Sequence, residues 1–135
     1  MPNTTATVTL DQTTSPWTLD VAPSDITVSQ NALTTHIVWE LSGMPAGFAW
    51  PGNPTGPKPL SWLSNPGGPP PGTVFGGGQA NGANLTVNDA HVGSASNGTF
   101  PYQLCVTDGQ GNYYYTSNSS SLAAKVGKAP KVTNN

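Results

Sequence analysis

The side chains best suited to catalysis or metal binding are the single thiol, Cys105, and two imidazoles, His36 and His91. A blue-copper centre needs two histidines and a cysteine, usually with a methionine, and one histidine and the methionine follow the cysteine closely. No histidine or methionine follows Cys105, and the two histidines have no recognised metal-ligand spacing, so we expect no metal site. Cys105 stands between Leu104 and Val106 without a neighbouring cation to activate it. We therefore predict that it is a structural residue on the strand face opposite Leu104.

Two turn-rich segments resemble ligand-binding loops but lack essential positions. Residues 108–112 (DGQGN) place oxygen atoms at alternate positions, as a calcium loop does, but residues 113–121 contain no Asp or Glu. Residues 76–82 are rich in glycine but match neither the dinucleotide-binding nor the Walker pattern. We interpret the first segment as a hairpin turn and the second as a loop.

Carboxylates for acid–base catalysis are few. Four of the six fall at expected chain reversals, where a short polar side chain is favoured, and two fall on the polar side of alternating segments. The four at chain reversals are Asp11, Asp25, Asp89 and Asp108, and the two in alternating segments are Asp20 and Glu40. Acid–base catalysis needs a titrating group held near its partner in a cleft. We predict that the protein is not an enzyme and uses no cofactor, and that His36, His91 and Cys105 are the group to test.

Four aromatic side chains are candidates for stacking against a sugar ring: Trp50, Trp62, Tyr113 and Tyr115. In a strand, Tyr113 and Tyr115 share one face and Tyr114 points to the other. The alternative is that Trp50 and Trp62 fix a long loop on the body of the protein or lie in a contact between subunits. We favour this structural interpretation and keep ligand binding as the alternative.

The elements that position these residues are predicted to be β-strands. Apolar and polar residues alternate through most of the chain, and β-branched and aromatic residues fill the alternating segments. Residues 121–128 are the one candidate for a helical turn. We predict an all-β fold, an immunoglobulin-like antiparallel β-sandwich of about 7–9 strands. The predicted core consists of Ile37, Trp39, Leu41, Leu85, Val87, Tyr102, Leu104 and Val106.

Residues 42–72 interrupt this pattern and hold nine of the 14 prolines. A segment this long without regular structure is unusual in a compact domain, so we expect it to have a function or to form a contact. Its apolar residues predict one or two short edge strands and a small cluster; they are Phe48, Trp50, Leu60, Trp62 and Leu63. We read residues 66–72 as an extended proline-rich connector. The length of 135 residues suits one domain, so we predict a single β-sandwich domain over residues 1–135 with residues 42–72 inserted in it.

Charge is scarce in this chain, with four lysines, no arginine and six acidic residues. The charged fraction of 7% is far below the usual value of about 25%. A nucleic-acid-binding surface needs dense positive charge, so we expect no nucleic-acid partner. The abundance of aromatic residues favours a folded chain over a disordered one. The single cysteine excludes an intrachain disulfide.

The sequence also bears on location. The N-terminal residues lack the basic and apolar regions of a signal peptide, and the longest apolar run is too short to cross a bilayer. We therefore expect no membrane span and favour a cytoplasmic over an extracellular location.

Two resemblances support the predicted fold. Trp39 in an early strand and Tyr102 in a late one resemble the immunoglobulin pattern, although Tyr102 lies three residues before Cys105, not two, and no second cysteine exists. Residues 85–89 (LTVND), 100–115 (FPYQLCVTDGQGNYYY) and 129–134 (APKVTN) are similar to small bacterial proteins of the DP-EP family and, more distantly, to the AidA/PixA inclusion-body proteins. These families share a Y-x-Y-x-V-x-V-x-D-x-x-G-x-x-Y hairpin and a closing D-P-x-I-x-N strand.

The chain departs from that family pattern in two places. Ala129 replaces the closing aspartate, and residues 117–128 separate the two motifs. The resemblance implies a single immunoglobulin-like sandwich that tends to self-associate, and it transfers no catalytic residue.

Two functions follow as hypotheses. A nearly uncharged β domain has weak electrostatic repulsion, and natural proteins protect strand edges with lysine and proline. Three of the four lysines lie within residues 125–131 and protect one edge at most. We predict a structural, self-assembling protein that forms a homo-oligomer, with residues 42–72 as a contact. The alternative is a glycan- or ligand-binding module that uses Trp50, Trp62, Tyr113 and Tyr115.

Overall fold

A computed structural model describes residues 3–13, 17–52, 55–62, 74–76, 78–93, 96–116 and 130–135. These residues form ten β-strands and no α-helix, which confirms the all-β prediction. The expectations for Leu63, for a connector at residues 66–72 and for a helical turn at residues 121–128 lie outside the described residues. In the part of the chain that is described, no helix has the length and apolarity that crossing a membrane requires.

The strands pair in one continuous path. In chain order they are β1 (Asn3–Asp11), β2 (Thr18–Ala22), β3 (Asp25–Val28), β4 (Thr35–Leu41), β5 (Leu60–Trp62), β6 (Gln79–Asn81), β7 (Asn84–Asp89), β8 (Gly98–Thr107), β9 (Tyr113–Thr116) and β10 (Lys131–Asn134). The path runs β3-β10-β8-β9-β2-β1-β4-β7-β6, and β5 pairs with β8 outside it.

The sheet is mixed, so the prediction of an antiparallel arrangement is wrong in part. Three pairs are parallel: β1 with β4, β2 with β9, and β3 with β10. The chain passes through β2 and β3 before it returns beside β1 as β4, and such a crossover makes a parallel pair. Alternating polarity reports only the pleat of a strand, so it carries no information about strand direction.

Strand β8 has neighbours along both edges. The backbone N–H of Tyr102 donates to the carbonyl of Pro130, just before β10. The N–H of Leu104 donates to the hydroxyl of Thr116, at the end of β9. The next N–H along the strand, that of Cys105, donates to the carbonyl of Pro59, just before β5. Because successive N–H groups of a strand point to opposite edges, β9 and β10 share one edge of β8 and β5 lies along the other.

Burial follows the predicted alternation closely. Seven of the eight predicted core side chains are buried, and Leu41 is partly buried against them. The buried seven are Ile37, Trp39, Leu85, Val87, Tyr102, Leu104 and Val106. The core is extended by residues from the other strands, namely Ala6, Val8, Leu19, Ile26, Val28 and Val132.

Trp39 and Tyr102 bring two distant parts of the sheet together. Trp39 lies on β4 and Tyr102 on β8, with three strands between them in the path. Both side chains are fully buried, their rings meet edge to face with centroids 5.1 Å apart, and the indole N–H donates to the Tyr102 hydroxyl at 2.9 Å. The sheet therefore curves until β4 and β8 face each other across the core.

The described part of residues 42–72 packs against β8, as its apolar residues predict. Ala49 forms an isolated bridge with Thr107, and β5 pairs along the middle of β8. The Trp62 ring packs on Phe75 with centroids 4.2 Å apart and meets the edge of Tyr102. The predicted short edge strand is confirmed as β5, whereas the described apolar residues of the segment join the main core and form no separate cluster of their own.

Replacing Tyr102 with Phe should destabilise the protein by about 1–3 kcal/mol, because the buried indole N–H of Trp39 would lose its acceptor. Urea denaturation followed by tryptophan fluorescence measures this change. Tyr113→Phe, at a half-buried position, is the matched control and should change the free energy of unfolding by about 0.5 kcal/mol or less. Equal effects of the two variants would contradict the role assigned to the Trp39–Tyr102 hydrogen bond.

Candidate functional site

The structure places Cys105 and the two histidines in three separate environments. Cys105 lies on β8, His36 on β4 opposite Asn88, and His91 in the segment that follows β7. No described residues form a cluster of three or more His, Cys, Asp or Glu side chains that could hold a metal ion.

Cys105 is buried, with 2% of its surface exposed, and lies opposite Tyr115 on β9. Burial raises the pKa of the thiol to about 11, and this outweighs the lowering effect of a hydrogen bond with the Tyr115 side chain. A nucleophilic cysteine needs a lowered pKa and access to substrate. The environment of Cys105 has the opposite character, in agreement with a structural residue.

His91 belongs to a buried polar cluster that also contains Ser96, Asp89 and Asn134. Its Nδ1 atom lies 2.6 Å from the Ser96 hydroxyl, and its Nε2 atom lies 2.7 Å from the backbone oxygen of Asn135. The Ser96 hydroxyl donates to the carbonyl of Gly93. Nε2 therefore joins the segment after β7 to Asn135, and Nδ1 holds Ser96 within the region that follows β7.

Asp89 is the residue for which the sequence interpretation fails. The sequence predicts a chain reversal at Asp89, but this residue is the fully buried last residue of β7. Its Oδ1 atom accepts a hydrogen bond of 3.1 Å from the amide of Asn134, which is also buried. The signal was present in the alternation, because Leu85, Val87 and Asp89 occupy the same face of one strand.

The four predicted aromatic ligand-binding residues have different environments. Trp50 is buried, and its indole N–H donates to the carbonyl of Ala83 at 2.9 Å. Trp62 and Tyr113 are half-buried. Tyr115 is exposed, on the outer face of β9. Of these four residues, Tyr115 is the most exposed, with 38% of its surface accessible.

A second group of aromatic residues escaped the sequence interpretation. The Tyr114 ring stacks between Trp17, at a centroid distance of 5.9 Å, and Phe48, at 5.3 Å, with interplanar angles of 25° and 24°. Trp17 is 38% exposed and precedes β2. We refer to Trp17, Tyr114 and Phe48 as the aromatic row. The three residues are far apart in sequence, so no local motif reveals the row.

Two glycines allow this row to form. Gly47 has φ +89°, and a Cβ atom there would lie 3.1 Å from the backbone oxygen of Asp108. Gly109 has φ +81° and approaches the backbone oxygen of Gly47. This close contact between loops places Phe48 beside Tyr114. Asp108 accepts backbone hydrogen bonds from Gln110 and Asn112, which confirms the hairpin turn at residues 108–112.

The aromatic row and the buried polar cluster lie at opposite ends of β8. Tyr114 is opposite Val106, next to the last residue of β8, whereas Asn134 is opposite Gly98, its first residue. The core therefore has an aromatic end, at the row, and a polar end, where Asn134 meets Asp89.

An open apolar groove of about 500 Å³ adjoins the row. Leu41, Met44 and Phe48 supply its large apolar side chains, and Gly82 and Ala83 form another part of its wall. Gly82 follows directly on β6, the last strand of the sheet path. All three residues of β6 are exposed, and in the described residues this strand pairs only with β7. The groove and β6 thus adjoin each other at Gly82.

No family model, curated protein or solved structure matches this chain. The assignment of function therefore depends on the site geometry, and the similarity of residues 85–134 to the DP-EP family remains a prediction.

We expect Cys105 to react with a disulfide reagent such as DTNB at least about a hundredfold more slowly in the native protein than in urea at pH 8. Burial and the higher pKa both reduce the available thiolate, and a two-unit rise alone gives about this factor. Because this is the one cysteine of the chain, the absorbance of released thiol measures it directly. Similar rates in both states would contradict the buried assignment.

The same shift predicts a loss of stability in alkali. The folded protein holds the pKa of Cys105 above its usual value of 9.0, so the stabilisation is complete below about pH 9 and declines as pH rises toward 11. Cys105→Ala should flatten this part of the curve of unfolding free energy against pH, whereas an unchanged curve would contradict the prediction.

Proposed function

We propose that this chain is a non-catalytic, immunoglobulin-like β-sandwich protein that associates with copies of itself through the open edge of β6. The observation that carries the proposal is the exposed, uncharged edge formed by Gln79, Ala80 and Asn81. Unpaired backbone N–H and C=O groups at a strand edge are a template for another strand. The contact of Trp39 on β4 with Tyr102 on β8, edge to face and with a hydrogen bond, supports the sandwich arrangement.

The distribution of charge favours this edge over the opposite one. No charged residue occurs between Lys58 and Asp89, a segment that includes β5, β6 and most of β7. At the other end of the path, Lys131 on β10 lies 3.9 Å from Asp25 on β3. Charged side chains discourage edge-to-edge pairing, so β3 is protected and β6 is not.

A second copy can pair with β6 in a symmetric, antiparallel arrangement. A two-fold axis through Ala80 places Ala80 opposite its own copy and Gln79 opposite Asn81, with no charges in contact. Three residues of strand give a small contact by themselves. The adjacent groove supplies the apolar surface of Leu41, Met44 and Phe48, so the edge and the groove together form the proposed interface.

Replacing Ala80 with Lys should abolish association, because the two-fold arrangement places the new charges opposite each other. The exposed position of Ala80 should leave the free energy of unfolding almost unchanged. Sedimentation equilibrium at increasing concentration should give a rising mass for the natural chain and the mass of one chain for Ala80→Lys.

The matched control is Thr27→Lys, an exposed position on β3 at the opposite end of the path. This variant should associate like the natural chain. A natural chain that stays monomeric at high concentration, or equal loss of association in both variants, would overturn the proposal.

A second candidate function is favoured by the aromatic end. An exposed ring such as Trp17, supported by Tyr114 and Phe48, can stack against the apolar face of a sugar. The exposed Tyr115 on the opposite face of β9 is the other candidate. This function predicts a ligand-binding module whose tryptophan fluorescence changes on addition of an oligosaccharide.

A glycan array followed by fluorescence titration tests this alternative and locates the site. Trp17→Ala should abolish the response if the aromatic end binds the sugar, whereas Tyr115→Ala should abolish it if the outer face does. An array without hits would remove the alternative.

A further inference from the structure

Two buried oxygen atoms at the polar end of the core have no hydrogen-bond partner among the described residues. They are Oδ2 of Asp89 and Oδ1 of Asn134. The two side chains are already joined by the hydrogen bond from the Asn134 amide to Oδ1 of Asp89. Each group therefore uses one of its two polar atoms and leaves the other unsatisfied, at a site where 0% of Asp89 and 2% of Asn134 are exposed.

Leaving such atoms unpaired in a protein interior is costly, and a buried ionised carboxylate is more costly still. A single proton resolves both problems. When Oδ2 of Asp89 carries a hydrogen, it becomes a donor, and the acceptor that needs one is Oδ1 of Asn134. A protonated acid and a primary amide can form a ring of two hydrogen bonds, and such a ring would add the second bond to the one observed from the Asn134 amide to Oδ1 of Asp89.

We propose that Asp89 is protonated in the folded protein and that the Asp89–Asn134 pair is a proton-dependent clasp between the ends of β7 and β10. Asn134 is opposite Val28 on β3 as well as Gly98 on β8, so the clasp holds the end of β10 where these strands meet. Uptake and release of a proton at Asp89 would thus control how firmly the last strand is held.

The charged groups around this pair are few. Thr35 on β4 and Phe75 lie opposite Asp89 and carry no charge. His91 is the titratable group whose field reaches Asp89, and it acts to lower the pKa of the carboxyl. On β10 and β3 the charges are those of Lys131 and Asp25, which pair with each other at the opposite ends of these strands.

Burial opposes ionisation and has the larger effect. It raises the pKa of Asp89 despite the lowering effects of the Asn134 hydrogen bond and of His91. A bound cation is the other means of satisfying two orphaned oxygens, but hard cations such as calcium need six or more oxygen ligands. The described residues form no cluster of three or more His, Cys, Asp or Glu side chains that could hold such an ion, so the proton is the better fit.

The direction of the pH effect follows from this pKa. Because the folded value lies above the ordinary 3.8, the clasp contributes fully below about pH 3.8 and is lost as pH rises through the folded value. Asp89→Asn keeps the shape and can pair with Asn134 amide to amide at any pH. Relative to this variant, the unfolding constant of the natural chain should increase about tenfold per pH unit between the two pKa values, and then level off.

The direct test is a ¹³C NMR titration of the natural chain labelled at the aspartate carboxyl carbons. The chain has five aspartates, so five signals are expected, and Asp89→Asn identifies the signal of Asp89. That signal should move from the protonated position at a pH above the ordinary aspartate value of 3.8, because burial raises the pKa of Asp89. Glu40→Gln, the same charge change at an exposed strand position, should leave both the Asp89 titration and the pH curve unaltered.

Two results would overturn the proposal. The Asp89 signal could titrate near pH 4, which would show a carboxylate satisfied by a bound water or ion. Alternatively, addition of calcium or its removal with EDTA could shift the unfolding midpoint of the natural chain but not of Asp89→Asn, which would show a cation site.

Discussion

The hydrogen bond between Trp39 and Tyr102 is the constraint on which the rest of the fold depends. A buried indole N–H must have an acceptor, and here that acceptor is supplied by a strand far away in the sheet path. The contact fixes β4 relative to β8, so β1, β2 and β9 must curve to connect them. Trp62 packs on Phe75 and against the edge of Tyr102, and this contact holds β5 to the Trp39–Tyr102 pair.

The sequence predicts the core and most strands well because both depend on alternation, which is a local property. The interpretation of residues 76–82 as a loop is wrong in part, because Gln79–Asn81 form β6 without an apolar alternation that would mark them as a strand. The sequence predicts neither strand direction nor the aromatic row, because these arise when distant segments such as Trp17 and Phe48 meet at Tyr114. Asp89 is a different case. Its inward position follows from the alternation of Leu85 and Val87, but the preference of aspartate for turns suggests a chain reversal instead. Asp89 is buried in the structure, where the Asn134 amide donates a hydrogen bond to it.

The two ends of the core differ in chemistry and, on our proposals, in role. At the aromatic end, apolar surface remains open to solvent beside the uncharged β6, which suits association. At the polar end, Asp89, His91 and Asn134 are buried and joined to their neighbours by hydrogen bonds. The low charge of the chain matters at both ends. Little electrostatic repulsion opposes contact between copies, and few charged groups contribute to the electrostatic potential at Asp89.

Because β9 and β10 pair along the same edge of β8, the segment between these two strands can tolerate changes in its length. Tyr115 and Lys131 lie opposite Cys105 and Pro101, four positions apart on β8, or about 13 Å at 3.3 Å per residue. In sequence, however, 15 residues separate Tyr115 from Lys131. The number of residues between β9 and β10 is thus much larger than the span requires. Insertions or deletions there can accumulate without shifting the register of either strand, which makes this junction the natural place to graft a foreign peptide or tag.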